Sequence, residues 1–192
     1  MRKVCSANDG KSPYVTCPVE QFRVISTQSA AILLLPGKSE LLSFIGYSAG
    51  GHLVCQVAVL AKEDTRVQAV VGLAPPTDHE ADSERRGGLS PSLRNLLEHP
   101  VTLDGAAREI LREISPVNHI KPGLPPFLLV HGTEDKSVPF QQSLSFQARL
   151  KAAGGTCEPI SIPGAPHRMS DWEKFDTGYA ARIAAWLKQT LR

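Results

Sequence analysis

The sequence predicts an α/β fold in which one open, mostly parallel sheet is flanked by helices. From residue 41 onward, short apolar runs of strand length alternate with longer segments of helical periodicity. The runs are apolar almost throughout, as expected for strands that helices cover on both faces. A length of 192 residues with 42% hydrophobic residues is enough to form one buried core. Together these observations favour a single soluble domain of the α/β class.

Four strands and three main helices account for most of residues 41–192. The predicted strands are Leu41–Tyr47, Val67–Leu73, Phe127–Val130 and Thr156–Ile162. Three helices are predicted. The first has Leu53, Val54, Val57, Ala58, Leu60 and Ala61 at helical spacing and packs on the sheet, the second begins near Phe140 and ends at Gly154-Gly155, and a closing helix runs from Phe175 to Leu191. Strands and helices in this order form parallel crossover units.

Two other segments do not follow this alternation. Residues 1–40 are predicted to be an irregular segment, separate from the core at 41–192, with short strands at Tyr14–Thr16 and Phe22–Ile25. Within it, Ala30–Pro36 is predicted to be a buried strand or helix segment. We call residues 77–121 the excursion: they are polar, are predicted to cross over the sheet, and contain helical patterns near Pro91–Glu98 and Asp104–Ile114.

Composition excludes several classes of function. The formal net charge is +2 without a basic block, so neither nucleic acid nor an anionic membrane is an expected partner. Residues 6–12 are polar where an export signal would be apolar, so a cytoplasmic location is expected. The four cysteines lack metal-ligand spacing, and no metal is expected. Cys5 and Cys17 are expected to be free thiols, with a bridge in an oxidising compartment as the alternative.

The strongest single indication of function is the pentapeptide Gly46-Tyr47-Ser48-Ala49-Gly50. A GxSxG match is common by chance, but this one follows a predicted strand and precedes a predicted helix, the context of a nucleophile elbow. The glycines allow a sharp turn without a Cβ clash, so that Ser48 projects into a cleft. The alternative, a serine that only caps the following helix, explains the flanking glycines less well.

A serine nucleophile needs a histidine that takes its proton and a carboxylate that orients the histidine. We predict His167 as this base, because it lies in the loop after the last predicted strand and can reach over the sheet edge. A solvent-exposed loop histidine is the alternative. His52 and His131 are expected to make packing contacts or backbone hydrogen bonds. The other three histidines, all in the excursion, are His79, His99 and His119.

The orienting acid is predicted to be Asp135, in the loop after the third predicted strand. Only one of Glu134 and Asp135 can point toward His167, and the shorter aspartate is held more closely by the loop. Glu134 is expected to face solvent, and either carboxylate could instead be a helix N-terminal charge. Asp171 and Asp176 are weaker alternatives because they follow His167 too closely.

Several segments carry a family resemblance: Gly46–Leu53, Ser115–Val117, Pro125–Asp135 with Val138-Pro139, and Pro163–His167. They resemble the esterase and lipase branch of the α/β-hydrolases, and more narrowly the acetylxylan and feruloyl esterase-like proteins, related to the prolyl oligopeptidase-type hydrolases. The resemblance covers Leu41 to the C-terminus. It implies an α/β-hydrolase fold with Ser48 as nucleophile, Asp135 as acid and His167 as base, in the superfamily's chain order.

One element of that branch is missing from the sequence. Its members usually carry an HGG or HGGG loop whose backbone N–H helps to bind the oxyanion, and none precedes Ser48. The predicted oxyanion donor is therefore the N–H of Ala49, with Pro36–Lys38 as a candidate second loop. Loss of one donor typically lowers the rate about 10²- to 10³-fold. A truncated N-terminus, or 40 residues from another reading frame or gene start, would account for this pattern.

The leading functional hypothesis is a serine carboxylesterase that needs no cofactor. Its predicted substrates are short acyl esters, with acetyl or feruloyl esters of carbohydrates as candidates, hydrolysed through an acyl-enzyme on Ser48. One alternative is a prolyl oligopeptidase-type peptidase, although no propeller or large accessory domain is present. Another is a catalytically weak, hydrolase-derived binding domain.

A sheet edge left exposed by missing early strands would allow a homo-oligomer.

Overall fold

A six-stranded sheet forms the centre of the chain in the computed structural model, which describes residues 23–26, 30–34, 42–62, 67–97 and 103–192. The strands, which lie side by side in chain order, are β1 (Arg23–Ser26), β2 (Ala30–Leu34), β3 (Leu42–Tyr47), β4 (Ala69–Leu73), β5 (Phe127–Gly132) and β6 (Cys157–Ile162). Strands β3 to β6 are parallel, whereas β1, β2 and β3 pair antiparallel. The predicted mostly parallel sheet is therefore confirmed.

Each of the four strands predicted in the core is present, with small shifts at its ends. Strand β5 extends to Gly132, two residues beyond the predicted end, and so carries His131 inside the strand. Strand β1 overlaps the predicted Phe22–Ile25, and the Ala30–Pro36 segment contains a strand rather than a helix. Tyr14–Thr16 lies outside the described residues. Because β2 pairs with β3, the strand that leads to Ser48 is an inner strand of the sheet.

Six α-helices and two 3₁₀ turns connect or follow the strands in the described ranges. The helices are α1 (Ala49–Leu60), α2 (His79–Arg86), α3 (Pro91–Leu97), α4 (Gly105–Glu113), α5 (Gln141–Ala152) and α6 (Tyr179–Thr190), and the 3₁₀ turns are Pro116–His119 and Met169–Lys174. None of these helices is both long enough and apolar enough to cross a membrane.

Helix α2 is the helix that the hydrophobic pattern did not predict. Its sequence HEADSERR has no apolar stripe, so periodicity gives no signal. Capping at the two helix ends favours it instead. The Asp78 side chain accepts a hydrogen bond from the Ala81 N–H, and Gly87 ends the helix at a left-handed φ of 71°. Acidic residues in the first turn and arginines in the last turn also suit the helix dipole.

The predicted face of α1 is partly wrong. Of the six residues expected on the face toward the sheet, Val54 and Ala58 are buried, whereas Leu53, Val57 and Leu60 are 57%, 50% and 51% exposed. The buried residues are mostly small and include two glycines: Gly50, Gly51, Val54, Cys55, Ala58 and Val59. Small residues let the helix axis lie close to the sheet, so the contact face is rotated away from the large side chains.

The closing segment also differs from its prediction. Instead of one helix from Phe175, a 3₁₀ turn ends at Lys174 and α6 begins at Tyr179, which leaves Phe175 outside the helix and 47% exposed. Asp176 accepts a hydrogen bond from the Gly178 N–H and so stabilises the turn between the two. Helix α6 packs on one face of the sheet, whereas α1 and α5 pack on the other.

Candidate active site

Ser48 lies at a sharp turn between β3 and α1. Its backbone angles are φ 51° and ψ −117°, a strained conformation for a residue with a Cβ atom. The turn is held because the Ser48 N–H donates to the Leu73 carbonyl at 2.8 Å, at the end of the neighbouring strand. A Cβ atom at position 46 would lie 2.1 Å from the Gly50 carbonyl oxygen, so the turn requires glycine there.

His167 contacts both Ser48 and Asp135. Its Nε2 lies 2.9 Å from the Ser48 Oγ, and its Nδ1 lies 2.6 Å from the Asp135 Oδ2. Because a carboxylate only accepts, Nδ1 carries the hydrogen, and Nε2 is free to accept the serine proton. The three side chains come from the loops after β3, β5 and β6, which meet at the carboxyl edge of the parallel strands. The structure thus brings together the three residues that the sequence nominated as a triad.

The Asp135 carboxylate is buried and fully hydrogen-bonded. Oδ1 accepts from the N–H groups of Ser137 and Val138, both at 2.8 Å. Oδ2 accepts from His167, and the Nε2 of His131 lies 3.2 Å away. Burial alone would raise the pKa of Asp135, but the hydrogen bonds from His131, His167 and the Val138 N–H outweigh it and hold the pKa well below its usual range. The carboxylate is therefore ionised throughout the neutral range.

The other candidate carboxylates contact neighbouring cations rather than the base. The Glu134 side chain is 59% exposed and lies 2.8 Å from Lys136 Nζ. Asp171 pairs with Lys174 and Asp176 pairs with Arg182, each within the C-terminal part of the chain.

The loop that carries Asp135 is joined directly to the loop that carries His167. The Glu134 N–H donates to the Ala165 carbonyl at 3.1 Å, and the Thr133 Oγ1 accepts from the Gly164 N–H at 2.9 Å. A Cβ atom at Gly132 would lie 2.3 Å from the Ala165 carbonyl oxygen. Only glycine permits this approach, which fixes the acid and base loops relative to each other.

Tyr47 contacts His167, and sequence reasoning did not predict this contact. Its hydroxyl donates to the His167 carbonyl at 2.9 Å, and its ring lies 5.3 Å from the imidazole. The Tyr47 ring also meets Trp172 edge to face, and the Trp172 indole donates to the Pro166 carbonyl at 2.8 Å. Tyr47 occupies the variable position before Ser48, so an aromatic residue there was the available signal.

Two further histidines, His52 and His79, line the same cavity as Ser48. The Nε2 of His52 donates to the Ile114 carbonyl at 2.8 Å, and the rings of His52 and His79 meet edge to face at 4.6 Å. The His79 Nε2 is buried and has no hydrogen-bond partner among the described residues. Burial lowers the pKa of His79 to about 4, so the ring is neutral at pH 7. The Nε2 of His119 bonds to the Glu113 carbonyl, away from the site. His99 lies outside the described residues.

A cavity of about 360 Å³ opens at Ser48. Ser48, Ala49 and His167 line one side, and the excursion lines the other with polar and apolar side chains, among them His79, Asp82, Arg86, Ser90 and Leu93. Leu93 also packs with Leu89 and Leu111 in a small core of the excursion. Ala49 is the first residue of α1, so its N–H has no acceptor within the helix. The Pro36–Lys38 loop lies outside the described residues.

The cysteines of the described residues belong to the core. Cys55 and Cys157 are buried and form no disulfide, and burial raises the pKa of the Cys157 thiol to about 12. Cys5 and Cys17 lie outside the described residues. Within the described ranges, no group of three or more His, Cys, Asp or Glu side chains is placed to hold a metal ion.

Known proteins with similar sequences are esterases. The chain is 31% identical to esterase LipC of Mycobacterium tuberculosis over 81% of this chain and 42% of LipC. It is 28% identical to the probable carboxylic ester hydrolase LipM of the same organism, over 98% of this chain and 46% of LipM. The chain therefore spans less than half the length of these curated relatives.

Solved structures show the same fold. A truncated form of a carbohydrate esterase from gut microbiota superposes with a TM-score of 0.58 at 26% identity, over 76% of this chain and 58% of that one. Four parallel strands with flanking helices, shared with such esterases, are the α/β-hydrolase fold.

A family model, BD-FAE, matches residues 35–150, which include the turn at Ser48 and the Asp135 loop. With more than half of its length matched, this chain belongs to the BD-FAE family of the α/β-hydrolases.

Proposed function

We propose that this chain is the catalytic portion of a serine carboxylesterase for short acyl esters, with Ser48 as nucleophile, His167 as base and Asp135 as acid. The observation that carries the proposal is the continuous contact from the Ser48 Oγ to His167 Nε2, at 2.9 Å, and from His167 Nδ1 to Asp135, at 2.6 Å. Proton transfer from a serine hydroxyl needs this geometry. The esterase relatives support the same chemistry.

The reaction follows a ping-pong cycle. Ser48 attacks the ester carbonyl while His167 Nε2 takes its proton, and the resulting imidazolium then gives that proton to the leaving alcohol. His167 next takes a proton from water, whose oxygen attacks the acyl-enzyme, and returns the proton to Ser48 as the acid product leaves. The ionised Asp135 stabilises the imidazolium in both halves of the cycle.

Ala49 supplies the proposed oxyanion donor. Its N–H belongs to the first turn of α1, where backbone N–H groups lack helical acceptors and the helix dipole favours negative charge. Ala49 lines the same cavity as Ser48 and His167, so an oxyanion formed at Ser48 would lie beside it. No second donor is assigned.

The cavity suits a small acyl group and a polar alcohol. About 360 Å³ is near the lower end of the usual range for ligand sites. Leu93 and Val138 offer apolar contact, whereas Asp82, Arg86 and Ser90 offer hydrogen-bonding groups. An acetyl ester of a carbohydrate combines these features, with a feruloyl ester as the bulkier alternative, and one structural neighbour is a carbohydrate esterase.

Hydrolysis of p-nitrophenyl acetate tests the proposal. We expect the wild-type protein to show a burst of nitrophenol followed by turnover, and Ser48→Ala to show neither. Ser145→Ala is the matched control, because Ser145 lies on α5 and bonds only with Gln141 among the described contacts. Equal activity in the wild type and Ser48→Ala would overturn the assignment.

A catalytically weak, hydrolase-derived binding domain is the alternative that the same experiment distinguishes. It predicts no burst with p-nitrophenyl acetate, together with saturable binding of a carbohydrate ester to both the wild type and Ser48→Ala.

A further inference from the structure

His131 contacts the proposed acid from the side opposite the base. We propose that His131 is a positioning residue that holds the Asp135 carboxylate in the orientation that His167 needs. The inference rests on the proposed function. Its starting observation is that Oδ2 of Asp135 has two imidazoles beside it, His167 Nδ1 at 2.6 Å and His131 Nε2 at 3.2 Å.

The hydrogen-bond pattern fixes the orientation of the His131 ring. Nε2 lies 2.9 Å from the Val138 carbonyl, and because a carbonyl only accepts, Nε2 carries the hydrogen. Nδ1 lies 2.7 Å from the Ser143 Oγ on α5, which donates to it when the ring is neutral. The ring therefore presents an N–H, rather than a lone pair, toward Asp135.

Because both side chains are buried, losing one of these hydrogen bonds is costly. The side chains of His131 and Asp135 are both 0% exposed, so no water replaces a lost partner. The ring also packs edge to face with Phe140 at 5.7 Å. A histidine whose two nitrogens are both bonded inside the core has one orientation, which it imposes on the carboxylate beside it.

Val138 joins the imidazole and the carboxylate in one closed arrangement. Its carbonyl accepts from His131, and its N–H donates to Oδ1 of Asp135 at 2.8 Å. With Oδ1 held by the loop and Oδ2 flanked by His131, the carboxylate cannot rotate away from His167. Without His131, Oδ2 keeps His167 as its one side-chain donor among the described residues, and the Val138 carbonyl loses its partner.

The test compares substitutions that keep or remove the N–H. A fluorophosphonate probe reports the reactivity of Ser48 independently of the natural substrate, and its labelling rate is normalised to the folded fraction. We expect His131→Leu to slow labelling roughly 10- to 100-fold, the scale of a small misplacement of a catalytic group. His131→Gln can place an N–H near the Nε2 position, so its rate should stay within roughly fivefold of wild type.

His119→Gln is the matched control, since among the described residues His119 bonds only to the Glu113 carbonyl near the surface, and its labelling rate should not change. A folded His131→Leu that is labelled at the wild-type rate overturns the inference, as do equal losses in His131→Leu and His131→Gln. If His131→Leu does not fold, Ser143→Ala decides: a two- to tenfold slower rate supports the inference, and an unchanged rate overturns it.

Different results would overturn the positioning role of His131 and the proposed esterase activity. Labelling of the wild type but not of Ser48→Ala, with no effect of His131 substitutions, would leave the proposed esterase intact and overturn only the positioning role. A wild type that is not labelled would overturn both.

Discussion

The two sides of the cavity are stabilised in different ways. The loops that carry Ser48, Asp135 and His167 are joined by buried hydrogen bonds to backbone groups, such as those from Ser137 and Val138 to Asp135. The excursion opposite them has a small apolar core of Leu89, Leu93 and Leu111 and, in addition, several ion pairs at the surface. Buried hydrogen bonds are costly to break, whereas exposed ion pairs contribute little and are screened by salt.

Glu80 illustrates the second kind of contact. It lies on α2 and pairs with Arg112 at 2.7 Å and with Arg108 at 3.2 Å, both on α4. The guanidinium groups of Arg108 and Arg112 connect α4 to α2, a helix with few apolar side chains. Asp82 pairs with Arg85 and Arg86 within α2 itself. The difference suggests that sequence changes in the excursion alter substrate fit before they disturb the reacting groups.

The largest expected effect is on the proposed acid. Asp135→Asn should lower kcat/KM for p-nitrophenyl acetate about 10³- to 10⁴-fold, because an amide neither stabilises the imidazolium nor fixes the reactive tautomer. Glu134→Gln is the matched control: its side chain is 59% exposed and pairs with Lys136, so kcat/KM should not change. A similar loss in both variants would mean that kcat/KM depends on the conformation of the loop rather than on the Asp135 carboxylate.

Glycine-to-alanine substitutions compare the steric constraint at the turn around Ser48 with that in the excursion. Gly46→Ala should reduce the free energy of unfolding by more than about 4 kcal/mol or prevent folding, since the new Cβ would lie 2.1 Å from the Gly50 carbonyl oxygen. Gly105→Ala, at the start of α4, meets nothing within 4 Å and should change stability by less than about 1 kcal/mol. Urea denaturation measures both, and a tolerated Gly46→Ala would contradict the elbow geometry.

His79 should make stability depend on pH between about 4 and 6.5. The folded pKa of about 4 lies below the ordinary histidine pKa of 6.5, so in this window the unfolded chain binds a proton that the folded chain does not. This contribution to stability is complete above pH 6.5 and is lost toward pH 4, at most about 3 kcal/mol. Replacing His79 by Gln should flatten the urea-derived stability profile across this window. An unchanged slope would show that His79 does not titrate as proposed.

The smallest effect is expected from the ion pairs of the excursion. Glu80→Gln should lower the unfolding temperature slightly at low ionic strength, and the difference from wild type should vanish near 1 M salt, where the Debye length is about 3 Å. Hydrolysis of p-nitrophenyl acetate should be unaffected. A large loss of stability that persists in high salt would show that Glu80 has a structural role beyond its exposed pairs.

The sequence predicted what depends on local pattern. The apolar runs before Ser48, Asp135 and His167 marked strands β3, β5 and β6, and the carboxyl ends of parallel strands meet at one edge. The glycines around Ser48 marked the turn because its backbone demands them. Local pattern was therefore sufficient to nominate the residues that the fold brings together.

What the sequence did not predict depends on close packing or on end effects. The wrong face of α1, with Leu53 exposed, follows from how near its glycines let the helix approach the sheet. Helix α2 forms through the Asp78 cap and Gly87 rather than through an apolar stripe. The contacts of Tyr47 and His131 with the base and acid depend on three-dimensional placement, for which spacing along the chain gives no measure.

The most direct test of the central claim is to identify the residue that becomes covalently modified. The wild-type protein is treated with a fluorophosphonate and digested, and the adduct is located by mass spectrometry. We predict one adduct, on Ser48, that forms slowly in His167→Gln and not at all in Ser48→Ala. An adduct on another serine, or labelling of Ser48→Ala at the wild-type rate, would contradict the assignment of Ser48 as the nucleophile.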